Sequence, residues 1–105
     1  MDPAYLLDMT GGDRVLVREI MGDFLRSDAE DRRMLEMALG AGNARDVHTY
    51  AHRIKGAARA IGADDYAELA QRIESGASGG SDLRPDFESL QAAASALSAW
   101  TATFE

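Results

Sequence analysis

The 105-residue chain has no cysteine, which removes a disulfide framework, a thiolate metal site and a cysteine nucleophile, and fits a reducing compartment. No apolar run approaches the roughly 20 residues that cross a bilayer, and the N-terminus lacks the basic-then-apolar layout of a signal peptide. Membrane insertion is therefore not expected, and the cytoplasm is the expected location. A cationic surface is missing as well. Eleven Lys and Arg stand against 18 Asp and Glu, a formal charge of −7, and a protein of that sign is a poor partner for nucleic acid or anionic lipid. Strand alternation is also lacking: no segment repeats apolar and polar residues with a period of two.

What is present is helical periodicity, punctuated by caps and glycines. Asp2-Pro3 reads as a helix start, aspartate at the N-cap and proline in the first turn, for a short helix that Gly11-Gly12 ends. Asp13 caps a second helix with apolar residues Val15, Leu16, Ile20, Met21, Phe24 and Leu25, expected to end near Ser27. Asp28 reads as a new N-cap, with Met34, Leu35, Ala38 and Leu39 facing inward and Gly40 and Gly42 as the stop. Asn43 with Asp46 opens the next helix, to about Ile61; Gly62 turns the chain, and Asp64 is expected to cap a helix ending near Ser75. Pro85 starts the last one, whose inner face is Phe87, Leu90, Ala94, Leu97 and Trp100 or Thr101. The expected fold is all-α: residues 1–105 as one domain, an antiparallel up-down four-helix bundle with one or two short additional N-terminal helices. Tyr50, Phe24, Phe87, Trp100, Met21, Met34 and Met37 are expected to pack in its core.

Within the 43–61 segment, Val47, Tyr50, Ala51, Ile54, Ala57, Ala58 and Ile61 form the apolar stripe. At about 100° per residue His52 lies opposite that stripe, so its imidazole faces solvent, with His48 one turn before it, Lys55 and Gly56 one turn after, and Arg59 beyond. Imidazole is the side chain that offers a nitrogen lone pair at neutral pH, and here an ammonium stands beside it. A glycine in mid-helix costs about 1 kcal/mol relative to alanine, so Gly56 marks a place where something must come close to the backbone. Lysine at plus three and glycines at plus four and plus ten have, together, no packing explanation on the apolar face. Arg45, Arg53, Lys55 and Arg59 against Asp46 also make this a basic patch on an acidic body, suited to an acidic partner or a phosphoryl group, and by charge alone equally consistent with a solvated helix face.

His52, Lys55, Gly56 and Gly62, followed by Ala63, Tyr66, Leu69, Ala70, Ile73 and Glu74, resemble the histidine-containing phosphotransfer (HPt) domain of bacterial phosphorelays. The resemblance implies that His52 accepts a phosphoryl group from a receiver-domain aspartate and passes it to another receiver, that Lys55 stabilises the phosphate, and that Gly56 admits the receiver. It implies docking around His48, Arg53, Arg59 and Gly62, with Arg59 departing from the small residue usual at plus seven. The implied partners are response-regulator receiver domains and a hybrid sensor histidine kinase, and both a free-standing carrier and a domain excised from such a kinase fit the sequence. No cofactor is expected in this chain, and the implied Mg2+ sits on the partner receiver.

Other chemistries fit the residues less well. His48 and His52 have the i, i+4 spacing of paired metal ligands, but Thr49 replaces the glutamate of the zinc-protease pattern and Lys55 and Arg59 repel a cation. The Gly-rich 75–81 loop lacks the lysine and hydroxyl residue of a nucleotide-binding loop, so no ATP site and no autonomous kinase is expected. The alternative function is a non-catalytic helical protein-interaction or dimerisation module.

Overall fold

The computed structural model describes residues 3–80 and 82–104, and for Pro3 the backbone alone. The chain forms five helices among the described residues: α1 (Pro3–Met9), α2 (Arg14–Ala41), α3 (Ala44–Ala60), α4 (Asp64–Gly76) and α5 (Arg84–Ala102). Helices α2 to α5 close a ring, α2 packing on α3 and α5, and α4 on α3 and α5, while the short α1 rests on α2. Turns of a few residues join α2 to α3 and α3 to α4, so successive helices run antiparallel. The all-α bundle with one short N-terminal helix agrees with the sequence reading. The proposed cap at Asp2 lies outside the described residues.

The main departure is α2. Sequence cues divide it at Ser27-Asp28, yet it runs unbroken for 28 residues. Its buried positions, Val17, Met21, Phe24, Asp28, Asp31, Leu35 and Ala38, repeat with alternating spacings of four and three through the expected break, the seam of a bundle helix. Asp28 is therefore not an N-cap. Its carboxylate Oδ2 accepts from the Tyr66 hydroxyl at 2.6 Å and from Arg32 Nε at 2.8 Å. Arg32 also donates to Gln91 on α5 at 2.5 Å, so one polar tie spans α2, α4 and α5.

Asp13 and Asn43 do cap their helices, accepting from Leu16 N at 3.0 Å and Asp46 N at 3.1 Å. Asp64 does not: Ala63 holds the cap position without a side-chain bond, and Asp64 and Asp65 instead place charge in the first turn of α4, where the helix dipole favours it. Pro85 is in the first turn of α5, which starts at Arg84.

The α3–α4 turn fixes the angle of the hairpin. Gly62 takes a φ of +76°, Gly62 N donates to Arg59 O at 3.1 Å and Ala63 N to Ala58 O at 2.9 Å, the paired bonds of a Schellman ending. A Cβ on Gly62 would come within 2.5 Å of Tyr5 Cδ1, so α1 also lies against this turn. Gly62 thus has a conformational and a packing reason, contrary to the expectation that packing does not account for it.

Val47, Ala51, Ile54, Ala58 and Ile61 are buried as expected, whereas Tyr50 is half-buried and Ala57 exposed. Val15, Leu16 and Met37 are exposed rather than core. At the end of α5, Thr101 is buried and Trp100 is half-buried against the edge of Phe104, ring centroids 4.7 Å apart.

Candidate functional site

The outward face of α3 and the adjoining edge of α4 form one hydrogen-bonded array. His52 stands on α3 with its side chain 64% exposed, and its Nδ1 lies 2.6 Å from Glu74 Oε2 on α4. Lys55, one turn on and the only lysine in the chain, donates from Nζ to Glu74 Oε1 at 2.5 Å and to Gln71 Oε1 at 2.9 Å. Gln71 Nε2 in turn donates to Ser75 Oγ at 2.7 Å. Helical spacing puts Gln71, Glu74 and Ser75 on one edge of α4, opposite His52 and Lys55.

Glu74 is the centre of this array and is only 8% exposed. Burial by itself pushes its carboxyl up. The hydrogen bonds from Lys55 and His52, with their charges, outweigh burial and hold the group below the ordinary carboxylate range. Glu74 is therefore a carboxylate at neutral pH, an acceptor only. The proton in the 2.6 Å contact consequently belongs to His52 Nδ1, which in the neutral ring leaves the lone pair on Nε2.

His48 stacks on His52, ring centroids 6.2 Å apart and planes 5° from parallel, with Nε2 at 3.9 Å from Glu74 Oε2. Gly56 is exposed, and a Cβ there would meet nothing within 4 Å. The fold itself thus has no need of a bare backbone at Gly56. Among the described residues no group of three His, Cys, Asp or Glu side chains is disposed to hold a metal ion, and no helix is long and apolar enough to cross a membrane.

The structure brings His48, His52, Lys55 and Gly56 together and sets the other three sequence candidates apart. Arg53 turns toward α2 and donates from Nε to Asp31 Oδ1 at 3.2 Å. Arg59 is exposed at the rim of a shallow pocket with Asp64, Ala67 and Glu68, and Gly62 belongs to the turn under Tyr5. Lys55, expected to face the phosphate, has a side chain only 11% exposed and is engaged with α4. Glu74, Gln71 and Ser75 were not singled out as site residues from sequence. For Glu74 a signal existed: it falls in the buried stripe of Tyr66, Ala67, Ala70 and Ile73, where a charge needs a partner.

A four-helix bundle that presents one outward imidazole, oriented by a carboxylate and flanked by an ammonium, defines a protein built to carry a group on histidine. Residues 19–100 match the family model of the Hpt domain, four-fifths of the chain, and the chain belongs to that family. It is thus a histidine phosphotransfer domain of the kind that works in phosphorelays, where Hpt domains interact with receiver domains. The crystal structure of histidine-containing phosphotransfer protein B (HptB) from Pseudomonas aeruginosa PAO1 is similar, with a TM-score of 0.85 and 22% identity over 98% of this chain and 91% of that one. At that identity the likeness speaks for the fold. No curated protein matches.

Proposed function

We propose that His52 Nε2 is the atom that accepts and donates the phosphoryl group. The observation that carries this is the 2.6 Å contact of Nδ1 with Glu74, since a neutral ring that donates its Nδ1–H hydrogen bond to the carboxylate has its nucleophilic lone pair on Nε2. In the forward step Nε2 attacks phosphorus of a receiver's aspartyl phosphate. The N–P bond forms as the P–O bond to the aspartate breaks, and the aspartate leaves as carboxylate. The ring then carries positive charge with its Nδ1 proton still held by Glu74, and the reverse attack by a second receiver's aspartate returns the neutral imidazole. No proton needs to leave His52 in either direction.

Phosphoryl transfer asks chiefly for positioning and charge stabilisation. Here Glu74 orients the ring, Lys55 offsets the Glu74 charge that would otherwise repel an incoming phosphate, and the open backbone at Gly56 lets the receiver come close. His48 flanks the approach and would contribute to docking, with Arg59 further along the exposed face of α3. The Mg2+ that neutralises the phosphoryl oxygens would reside on the receiver, and a hybrid sensor kinase would stand upstream, both in the cytoplasm.

The test is labelling by a phosphorylated receiver. His52→Gln should abolish acid-labile, base-stable phosphate on the protein while far-UV circular dichroism stays helical; label persisting on that variant would move the acceptor to His48.

A further inference from the structure

We infer that Gln71 is a positioning residue for phosphoryl acceptance, acting through Lys55; the inference rests on His52 being the acceptor. An ammonium has three protons to donate and no lone pair, and Lys55 Nζ gives one to Glu74 and one to Gln71. Because Lys55 can only donate, it takes the amide oxygen of Gln71, which turns the amide NH2 to Ser75 Oγ, the acceptor at 2.7 Å. The donor and acceptor roles then agree along the whole run. Gln71 gives to Ser75, Lys55 gives to Gln71 and to Glu74, and His52 gives to Glu74.

The second acceptor matters because of what lysine is. Its ammonium is a point charge on a flexible four-carbon stem and has no planar fork to fix its direction. Held by Glu74 alone it could pivot about that one contact toward solvent. Gln71, one turn before Glu74 on the same edge of α4, adds a second fixed point and keeps the charge beside the carboxylate that orients His52. Neither Gln71 nor Ser75 touches the imidazole in this array, so any effect of Gln71 on His52 reactivity must pass through Lys55.

That dependence is what a double-mutant cycle reads. The probe is phosphoramidate, a small phosphoryl donor that needs no receiver: His52 Nε2 forms the N–P bond as the donor's P–N bond breaks and ammonia leaves. Labelling rates are followed by 31P NMR on the full chain for wild type, Gln71→Leu, Lys55→Ala and the double variant, with circular dichroism to verify helicity. Because only part of the contribution of that hydrogen bond reaches the barrier through Lys55, labelling should be about three- to tenfold slower for Gln71→Leu. On the Lys55→Ala background the same substitution should change the rate less than about 1.5-fold, because its path is already cut. A Gln71→Leu rate equal to wild type overturns the inference, and so does an equal slowing on both backgrounds, which is what a merely structural role gives. Either result leaves the assignment of His52 intact, whereas label retained by His52→Gln removes that assignment and this inference together.

Discussion

Glu74 and Asp28 are both largely shielded from solvent, 8% and 2% exposed, but Asp28 lies deeper in the bundle, and the two pKa values move in opposite directions. The difference lies in depth and in how their oxygens are served. Glu74 receives a donor on each oxygen, one of them an ammonium held between α3 and α4. Asp28 receives both of its donors on Oδ2, while Oδ1 is buried without a hydrogen-bond partner. Burial therefore dominates at Asp28 and raises its carboxyl, with the nearby Asp31 charge adding to it, against the opposing bonds from Tyr66 and Arg32. The pair shows that burial alone does not set the charge state. Depth and the placement of donors set it together. One carboxylate is equipped to stay ionised and hold a proton on its neighbour; the other fastens helices together.

If that division is right, the largest effects should fall on different observables for the two residues. Asp28→Ala strands the Tyr66 hydroxyl and Arg32 inside the bundle and should lower the unfolding free energy by about 2–4 kcal/mol. Urea denaturation measures this, and phosphoramidate labelling of His52 by the folded variant should stay near wild type. A loss under about 1 kcal/mol would mean that the tie contributes little to stability. Glu74→Gln should do the reverse. It removes the anion that fixes the His52 tautomer and should slow labelling about 10- to 100-fold. Its cost in stability should stay within about 1 kcal/mol, because His52 is largely exposed and Lys55 can extend into water.

Acid titration sharpens the same contrast through its sign. The folded-state pKa of Glu74 lies below its ordinary value of 4.5, so its stabilisation is present above that pH and is lost as pH falls through the folded value. Asp28 sits above its ordinary value of 3.8, so the folded state binds the proton more tightly and gains stability as pH falls from the raised value toward 3.8. In urea unfolding between about pH 3 and pH 7, Glu74→Gln should flatten the acid loss and Asp28→Asn should steepen it. Equal slopes in the two variants would erase the distinction.

Both carboxylates are places where sequence and structure part company. The outward His52, its Lys55 and Gly56 neighbours and the bundle itself were legible because each follows from helical phase within a single segment. Asp28 looked like a cap because an aspartate ahead of Ala29-Glu30-Asp31 is a common helix start, and the partner that explains it, Tyr66, lies 38 residues away. The unbroken four-three spacing from Val17 to Ala38 was the signal for one helix, and it ran through the supposed cap. Glu74 was visible as part of a family pattern but without a role, since its donors are on another helix. Lys55 falls on α3 by helical phase, but nothing local reveals its bonds to Glu74 and Gln71 on α4.

The smallest effect sets two glycines against each other. Gly62 has a left-handed backbone and the Tyr5 ring against it, so a side chain there should destabilise the chain. Gly56 is helical, exposed and free of any contact that a Cβ would make within 4 Å. Gly56→Ala should therefore raise the unfolding free energy by about 0.5–1 kcal/mol, the helix-propensity difference. A stabilising change left unused points to a cost elsewhere, and the nearest candidate is the incoming receiver. Gly56→Leu should slow transfer from a phosphorylated receiver far more than labelling by phosphoramidate, which is small enough to reach Nε2 past the new side chain. If Gly56→Leu slowed both donors alike, the glycine would be serving the geometry of His52 itself, and the open backbone would have to be explained from within the helix.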